Sequence, residues 1–162
     1  MNKRGRHICP RRLIKMTGII ITGHGTFASG LSANVKMLAG NSIELTALDF
    51  TDQKPPEVLE EEIAVAIEKY DSSSVIIILT DIMGGTPYMK ASALSVRNPK
   101  VRVISGANAP LLLDLVIRNM SGTDAEDPDE LAESLLKTGE EALTIFRYEP
   151  AENGEPEDGD GI

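Results

Sequence analysis

From residue 18 onward the chain alternates short apolar runs with longer stretches in which apolar side chains recur every three or four positions. Gly18-Ile19-Ile20-Ile21-Thr22 is β-branched and starts on a glycine, which predicts a buried strand rather than a helix. Residues 29–39 place Leu31, Val35, Leu38 and Ala39 on one helical face, with Gly40-Asn41 as the stop. A second strand-like run covers 43–50. Turn residues and a proline between Asp52 and Pro56 mark the next helix start. Val58, Leu59, Ile63, Ala66, Ile67 and Tyr70 then recur at helical spacing through 57–70. The run Ser-Val-Ile-Ile-Ile-Leu-Thr at 74–80 is the strongest strand, apolar on both faces as central parallel strands covered by helices tend to be. Pro87 opens a helix reaching Arg97, and Val101-Arg102-Val103-Ile104 makes a fourth strand. Pro110 opens a helix over 111–119, and 121–127 reads as a polar linker. The stripe Leu131, Leu135, Leu136, Leu143 and Phe146 predicts a last helix over 130–146.

Strand–helix alternation repeated four times predicts an α/β fold: a doubly wound, mostly parallel sheet of four or five strands with helices on both faces. At 162 residues the chain is long enough for one such domain with a real core. In open sheets of this kind, ligand chemistry gathers at the carboxyl ends of the strands.

Composition narrows the setting. No apolar run is long enough to span a bilayer. The basic start lacks the apolar stretch of a secretory signal, and the single Cys9 can form no internal disulfide. A cytoplasmic location is expected. The net charge of −9 is unevenly spread. Six cations (Lys3, Arg4, Arg6, Arg11, Arg12, Lys15) lie in the first fifteen residues, leaving 10 basic against 25 acidic side chains elsewhere. An acidic body argues against nucleic acid as main partner, because phosphate backbones need clustered Lys and Arg. Residues 1–15 read as a basic flexible leader, or as the product of an upstream start codon, with the folded unit over 16–148. Residues 149–162 turn to Glu, Asp, Gly and Pro, an acidic tail expected to be disordered.

Three strand ends carry unusual loops: Thr22-Gly23-His24-Gly25-Thr26, Asp81-Ile82-Met83-Gly84-Gly85-Thr86-Pro87, and Ser105-Gly106-Ala107-Asn108. The topology brings them to one rim. His24 is the one histidine of the predicted domain, and imidazole is a side chain that can be neutral and nucleophilic near pH 7. For one ring nitrogen to attack, the other must hold its proton against an acceptor. Asp81, at the next strand end, is the candidate that fixes the tautomer and stabilises the cationic ring. Gly84, Gly85 and Thr86 precede a helix opened by Pro87, where free backbone amides and a hydroxyl can cradle an anion; Gly25, which flanks His24, is grouped with them as phosphoryl-binding. Ser105 and Asn108 complete the rim. Taken singly, these features are a glycine turn, a helix cap and a strand-to-helix turn. Their occurrence at successive strand ends makes a site. No cofactor and no metal are called for.

These loops resemble those of the IIA domains of the mannose-class sugar phosphotransferase system. The residues that carry the likeness are Gly23-His24-Gly25 with Ala28-Ser29-Gly30, Asp81-Ile82-Met83-Gly84-Gly85-Thr86-Pro87, and Ser105-Gly106-Ala107-Asn108. In look the chain is nearest to the galactosamine and N-acetylgalactosamine type. The resemblance implies that His24 accepts phosphoryl from phospho-HPr and passes it to a histidine of the IIB protein. IIB in turn phosphorylates the sugar that the IIC/IID membrane proteins import. It implies that Asp81 holds the ring and that Gly84-Gly85-Thr86 contacts the phosphoryl group. It also implies a homodimer, with exchange of a C-terminal strand in some members. No IIB domain follows in this sequence, so IIB is expected on a separate chain.

Other readings of the same residues are a regulatory domain of this fold, a nucleotide- or flavin-binding module, and a histidine phosphatase or mutase. The chain lacks G-x-G-x-x-G and the P-loop Lys-Ser/Thr, and is poor in aromatics that could stack on a flavin. A histidine phosphatase needs arginines around the phosphate, and the Arg beside His7 lies far from the core motif.

Overall fold

The computed structural model describes residues 16–122 and 127–148. The expected leader over 1–15 and tail over 149–162 lie outside the described residues, as does 123–126 of the expected linker. Nine elements follow in chain order. They are β1 (Gly18–His24), α1 (Phe27–Ala39), β2 (Thr46–Phe50), α2 (Pro56–Lys69), β3 (Ile76–Thr80), α3 (Thr86–Ser95), β4 (Val101–Ser105), α4 (Ala109–Ser121) and α5 (Pro128–Glu141).

The strands form one four-stranded sheet in the order β2-β1-β3-β4, with every pair parallel. The α/β reading holds, with four strands among the described residues. β3 is buried on both faces along its whole length, which is why its sequence is continuously apolar instead of alternating. Ile19, Ile21, Ile77 and Leu79 point to one face, where Ala28 and Val35 of α1, Leu111, Leu112, Leu115 and Val116 of α4, and Leu131 and Leu135 of α5 cover them. Ile20, Ile76 and Ile78 point to the other, under Leu59, Ile63 and Ala66 of α2 and Ala91 of α3. Each fully buried Ile or Leu stabilises the fold by roughly 1.5–3 kcal/mol, so these two layers fix the positions of the strand ends.

The chain reverses direction of assembly between β1 and β3. From β1 it steps outward to β2, then returns across to β3 and β4 on the other side. A crevice opens at the carboxyl ends of neighbouring strands whose connections leave in opposite directions. The register Thr22↔Thr80 places His24 and the residues after Thr80 on either side of that crevice.

Several boundaries differ from the sequence reading. β1 continues through His24, and α1 starts at Phe27 rather than 29. Its first residue packs where Gly23 leaves no room for a side chain: a Cβ there would meet the Phe27 ring at 2.5 Å. β2 begins at Thr46, its first partner of β1, rather than at 43. The last helix ends at Glu141 and not at Phe146. Leu143 and Phe146 continue the helical stripe in sequence but find nothing to pack against among the described residues, being 79% and 89% exposed. Thr144, Ile145 and Phe146 also have only modest helix propensity. The polar linker is shorter than read, since α4 runs through Ser121 and closes on Gly122 in the left-handed conformation.

Candidate functional site

His24 is the last residue of β1, and its side chain is 43% exposed. Asp81 follows β3 directly and is far more enclosed, at 13%. One carboxylate oxygen of Asp81, Oδ2, accepts from the His24 backbone N–H at 2.8 Å and lies 2.7 Å from the His24 ring nitrogen Nδ1. Its Oδ1 accepts from the Ile82 backbone N–H at 2.9 Å. Burial raises the pKa of this carboxyl, but the bonds from the His24 amide, the His24 ring and the Ile82 amide together outweigh burial and leave it below the ordinary value. Asp81 is therefore a carboxylate at neutral pH and can only accept. Nδ1 must carry the proton, and the lone pair of a neutral His24 sits on Nε2, the nitrogen turned away from Asp81.

Gly85 lies against that outer edge of the ring. A Cβ there would stand 2.6 Å from Cε1 and 3.4 Å from Nε2 of His24, so only glycine admits the imidazole in this position. Gly84 before it has φ +79°, a left-handed conformation that turns the loop into α3. α3 is a ten-residue helix with Gly85 as N-cap and Pro87 in its first turn, and no side chain caps it. Thr86 stands at the first helical position. Amides of a first turn have no intrahelical acceptor, and the helix dipole makes that end electropositive. An anion seated beside Nε2 would meet both.

The other expected site residues are placed less uniformly. Gly25 adjoins His24, but its amide is already engaged, donating to the Phe50 carbonyl at 2.8 Å. Ser105 ends β4 opposite Thr80 and stands on the rim. The Asn108 side chain turns to structural work: it caps α4 through the Leu111 amide at 3.1 Å and donates to the Gly139 carbonyl at 2.9 Å.

Sequence reasoning overlooked the end of β2. The register sets Asp49 opposite Gly23 and Phe50 opposite His24. Asp49 accepts from the Ser29 amide at 2.9 Å and so caps α1 from the neighbouring strand. The Phe50 ring meets the His24 ring edge-on, with centroids 5.7 Å apart and planes at 71°. The signal that could have found them is the strand order, which puts β2 beside β1 and its carboxyl end beside His24.

The arrangement can do one thing directly: present an oriented, neutral imidazole nitrogen to an electrophile that carries negative charge. A carboxylate that accepts the Nδ1 hydrogen bond lies behind the ring and an electropositive helix end lies in front. Among the described residues no helix is long and apolar enough to cross a membrane.

Comparison with known proteins shows the family of the chain. The chain is 30% identical over 138 residues to the mannose-specific EIIAB component of Escherichia coli K12, covering 85% of this chain but only 42% of that protein. It is 30% identical over 142 residues to the sorbose-specific EIIA component of Lacticaseibacillus casei, covering 86% of this chain and 98% of that one. The fold matches the mannose/sorbose-specific IIA subunit from Enterococcus faecalis with a TM-score of 0.73 at 22% identity, over 83% of this chain and 97% of the other. It matches the EIIA component from Streptococcus agalactiae with a TM-score of 0.67 at 28% identity, over 80% and 97%. The family described as PTS system fructose IIA component matches residues 18–133. The chain belongs to that family, the mannose-type IIA domains of the sugar phosphotransferase system.

Proposed function

We propose that this chain is a phosphohistidine carrier in the cytoplasm, taking phosphoryl from phospho-HPr onto Nε2 of His24 and delivering it to a histidine of a IIB protein during sugar uptake. The observation that carries this reading is the 2.7 Å contact between His24 Nδ1 and Asp81 Oδ2, combined with Gly85 and the α3 N-terminus beside the opposite edge of the ring. In the first step the Nε2 lone pair attacks phosphorus, the N–P bond of the donor breaks, and its electron pair returns to the donor imidazole. The His24 ring is then cationic, with its proton still on Nδ1, and the Asp81 carboxylate stabilises that charge. The Gly85 and Thr86 amides, with the Thr86 hydroxyl, receive the phosphoryl oxygens. In the second step the roles reverse, and the IIB imidazole attacks the phosphorus held on His24. No group of this chain touches the sugar, and the IIC/IID membrane proteins are reached only through IIB.

A homodimer suits the surface. β4 is an edge strand, and open edges invite pairing. The segment after α5 carries Leu143, Ile145, Phe146 and Tyr148, all largely exposed. With the helix ending at Glu141, this segment is free to act as an added strand. The basic leader and acidic tail are proposed to lie outside the domain of residues 16–148.

The transfer assay is direct. Protein phosphorylated with phosphoenolpyruvate, enzyme I and HPr is separated from them and mixed with a purified mannose-class IIB protein. Label moving to IIB from wild type, and none taken up by His24→Ala of unchanged thermal stability, is the expected result. Label reaching IIB through the His24→Ala variant would overturn the assignment.

A further inference from the structure

The Asp81 contact fixes one end of the imidazole, yet a histidine ring hydrogen-bonded at a single atom on a 43% exposed side chain can still rock and turn about its side-chain torsions. Terminal torsions of this type are broad and roughly two-fold. A ring flip would put Cδ2 where Nδ1 now stands and abolish the Asp81 bond. Something else must hold the ring plane.

Phe50 is in place to do so. It ends β2 in register with His24, and its ring packs edge-on against the imidazole at 5.7 Å and 71°, within the favourable range for such pairs. The same residue anchors the loop through its backbone, because its carbonyl accepts from the Gly25 amide at 2.8 Å. The ring itself is half-buried and packs against the core layer under α2 and α3. Phe50 is therefore a fixed wall rather than a mobile rim side chain. Gly85 supplies the second wall at Cε1.

From this we infer that Phe50 is a positioning residue for phosphoryl transfer: its ring holds the His24 imidazole in the plane that keeps Nδ1 on Asp81 and Nε2 toward the phosphoryl group. The inference rests on the carrier function proposed above, and reads one more residue into the same site. The backbone and side-chain roles of Phe50 are separable, since substitution leaves the bond from Gly25 to its carbonyl untouched. Loss of function on changing the ring is then a property of the ring.

Two variants and two readouts test it. Phe50→Leu keeps apolar volume and removes the aromatic edge, while Phe50→Tyr keeps the ring. Single-turnover transfer from phospho-HPr gives the maximal rate and the half-saturating donor concentration. Two-bond 1H–15N correlation of the unphosphorylated protein gives the His24 tautomer. The expected result for Phe50→Leu is a maximal rate lower by about tenfold, since small misplacement of reacting groups is costly. Half-saturation should be unchanged, with a mixture of tautomers replacing the single Nδ1-protonated form. Phe50→Tyr should restore both. Wild-type rate and a single tautomer in Phe50→Leu would overturn the inference, as would a loss confined to half-saturation, which would make Phe50 a docking contact. If wild type itself accepts no phosphoryl, the carrier reading fails, and the tautomer measurement alone decides the positioning role.

Discussion

The tightest contact in the site yields the sharpest prediction, a one-methyl change at Gly85. The residue has φ −70° and ψ 164°, a conformation any L-residue adopts, so alanine brings no backbone strain. Replacing glycine at such a position stabilises a protein by about 0.4–1 kcal/mol, through the unfolded chain. The new methyl would nevertheless stand 2.6 Å from His24 Cε1, where ordinary contact begins at 3.4 Å. The imidazole must give way by the difference, about 0.8 Å. Displacement toward Asp81 is blocked, because the Nδ1···Oδ2 contact is already 2.7 Å and has no room to shorten. Displacement in any other direction turns Nε2 away from its target. The Ile82 side chain, 3.2 Å from the same methyl, is exposed and can swing clear, so it absorbs none of the strain. A shift of this size at a reacting atom slows transfer by roughly 100-fold, which is about 2.7 kcal/mol in the barrier. Rapid-quench transfer from phospho-HPr measures the rate, and thermal unfolding measures stability. The backbone amide of residue 85 is retained in Gly85→Ala, so a fall in rate reports ring displacement rather than loss of an anion donor. Gly85→Ala that is as stable as wild type and transfers as fast would refute the reasoning.

Asp81→Asn should leave the fold intact but slow single-turnover transfer by roughly 100-fold or more, because a neutral amide stabilises the cationic ring poorly; stopped-flow or quench kinetics read it. Asp114 accepts from Arg118 through both carboxylate oxygens at 2.9 Å and from Thr138 at 2.9 Å, tying α4 to α5. The Arg118 bond leads in holding its pKa below 3.8, burial opposes, and the Thr138 bond adds to the lowering. A lowered folded pKa means that this contribution is complete above the unfolded value and is lost as pH falls through the folded one. Asp114→Asn should therefore cost about 1–2 kcal/mol at pH 7 and show a flatter loss of stability below pH 3.8 in urea titrations. Asn108→Ala removes the α4 cap and the bond to Gly139, and should lower the unfolding free energy by about 1–2 kcal/mol in the same assay. Deleting residues 143–148 should convert a dimer to a monomer in sedimentation velocity while His24 still accepts phosphoryl; an unchanged dimer would place the interface elsewhere.

Much of this molecule is written in local pattern. β3 was legible because a fully buried strand has no polar alternation to confuse it, and α2 because Leu59, Ile63 and Ala66 hold one stripe from Pro56 to Lys69. His24, Asp81 and Gly85 group together from the sequence, since strand ends in a doubly wound sheet share a rim. What escaped depends on partners distant in sequence. α5 stops at Glu141 although its stripe continues to Phe146 in sequence, because the surface it packs on ends near Gly139, pressed between Leu111 and Asn108. Asn108 looked like a rim residue because it follows Ser105-Gly106, but its amide group answers to α4 and to Gly139. Phe50 and Asp49 carry no motif. Their relation to His24 and Ser29 exists only through the parallel register of β2 on β1.

The central claim is tested most directly on uniformly 15N-labelled protein incubated with phosphoenolpyruvate, enzyme I and HPr, with the imidazole nitrogens followed by two-bond 1H–15N correlation. The account predicts one acid-labile phosphohistidine, at His24, with phosphorus on Nε2 and the proton retained on Nδ1 beside Asp81. Phosphorus on Nδ1, or a protein that stays unmodified while HPr is fully phosphorylated, would contradict it.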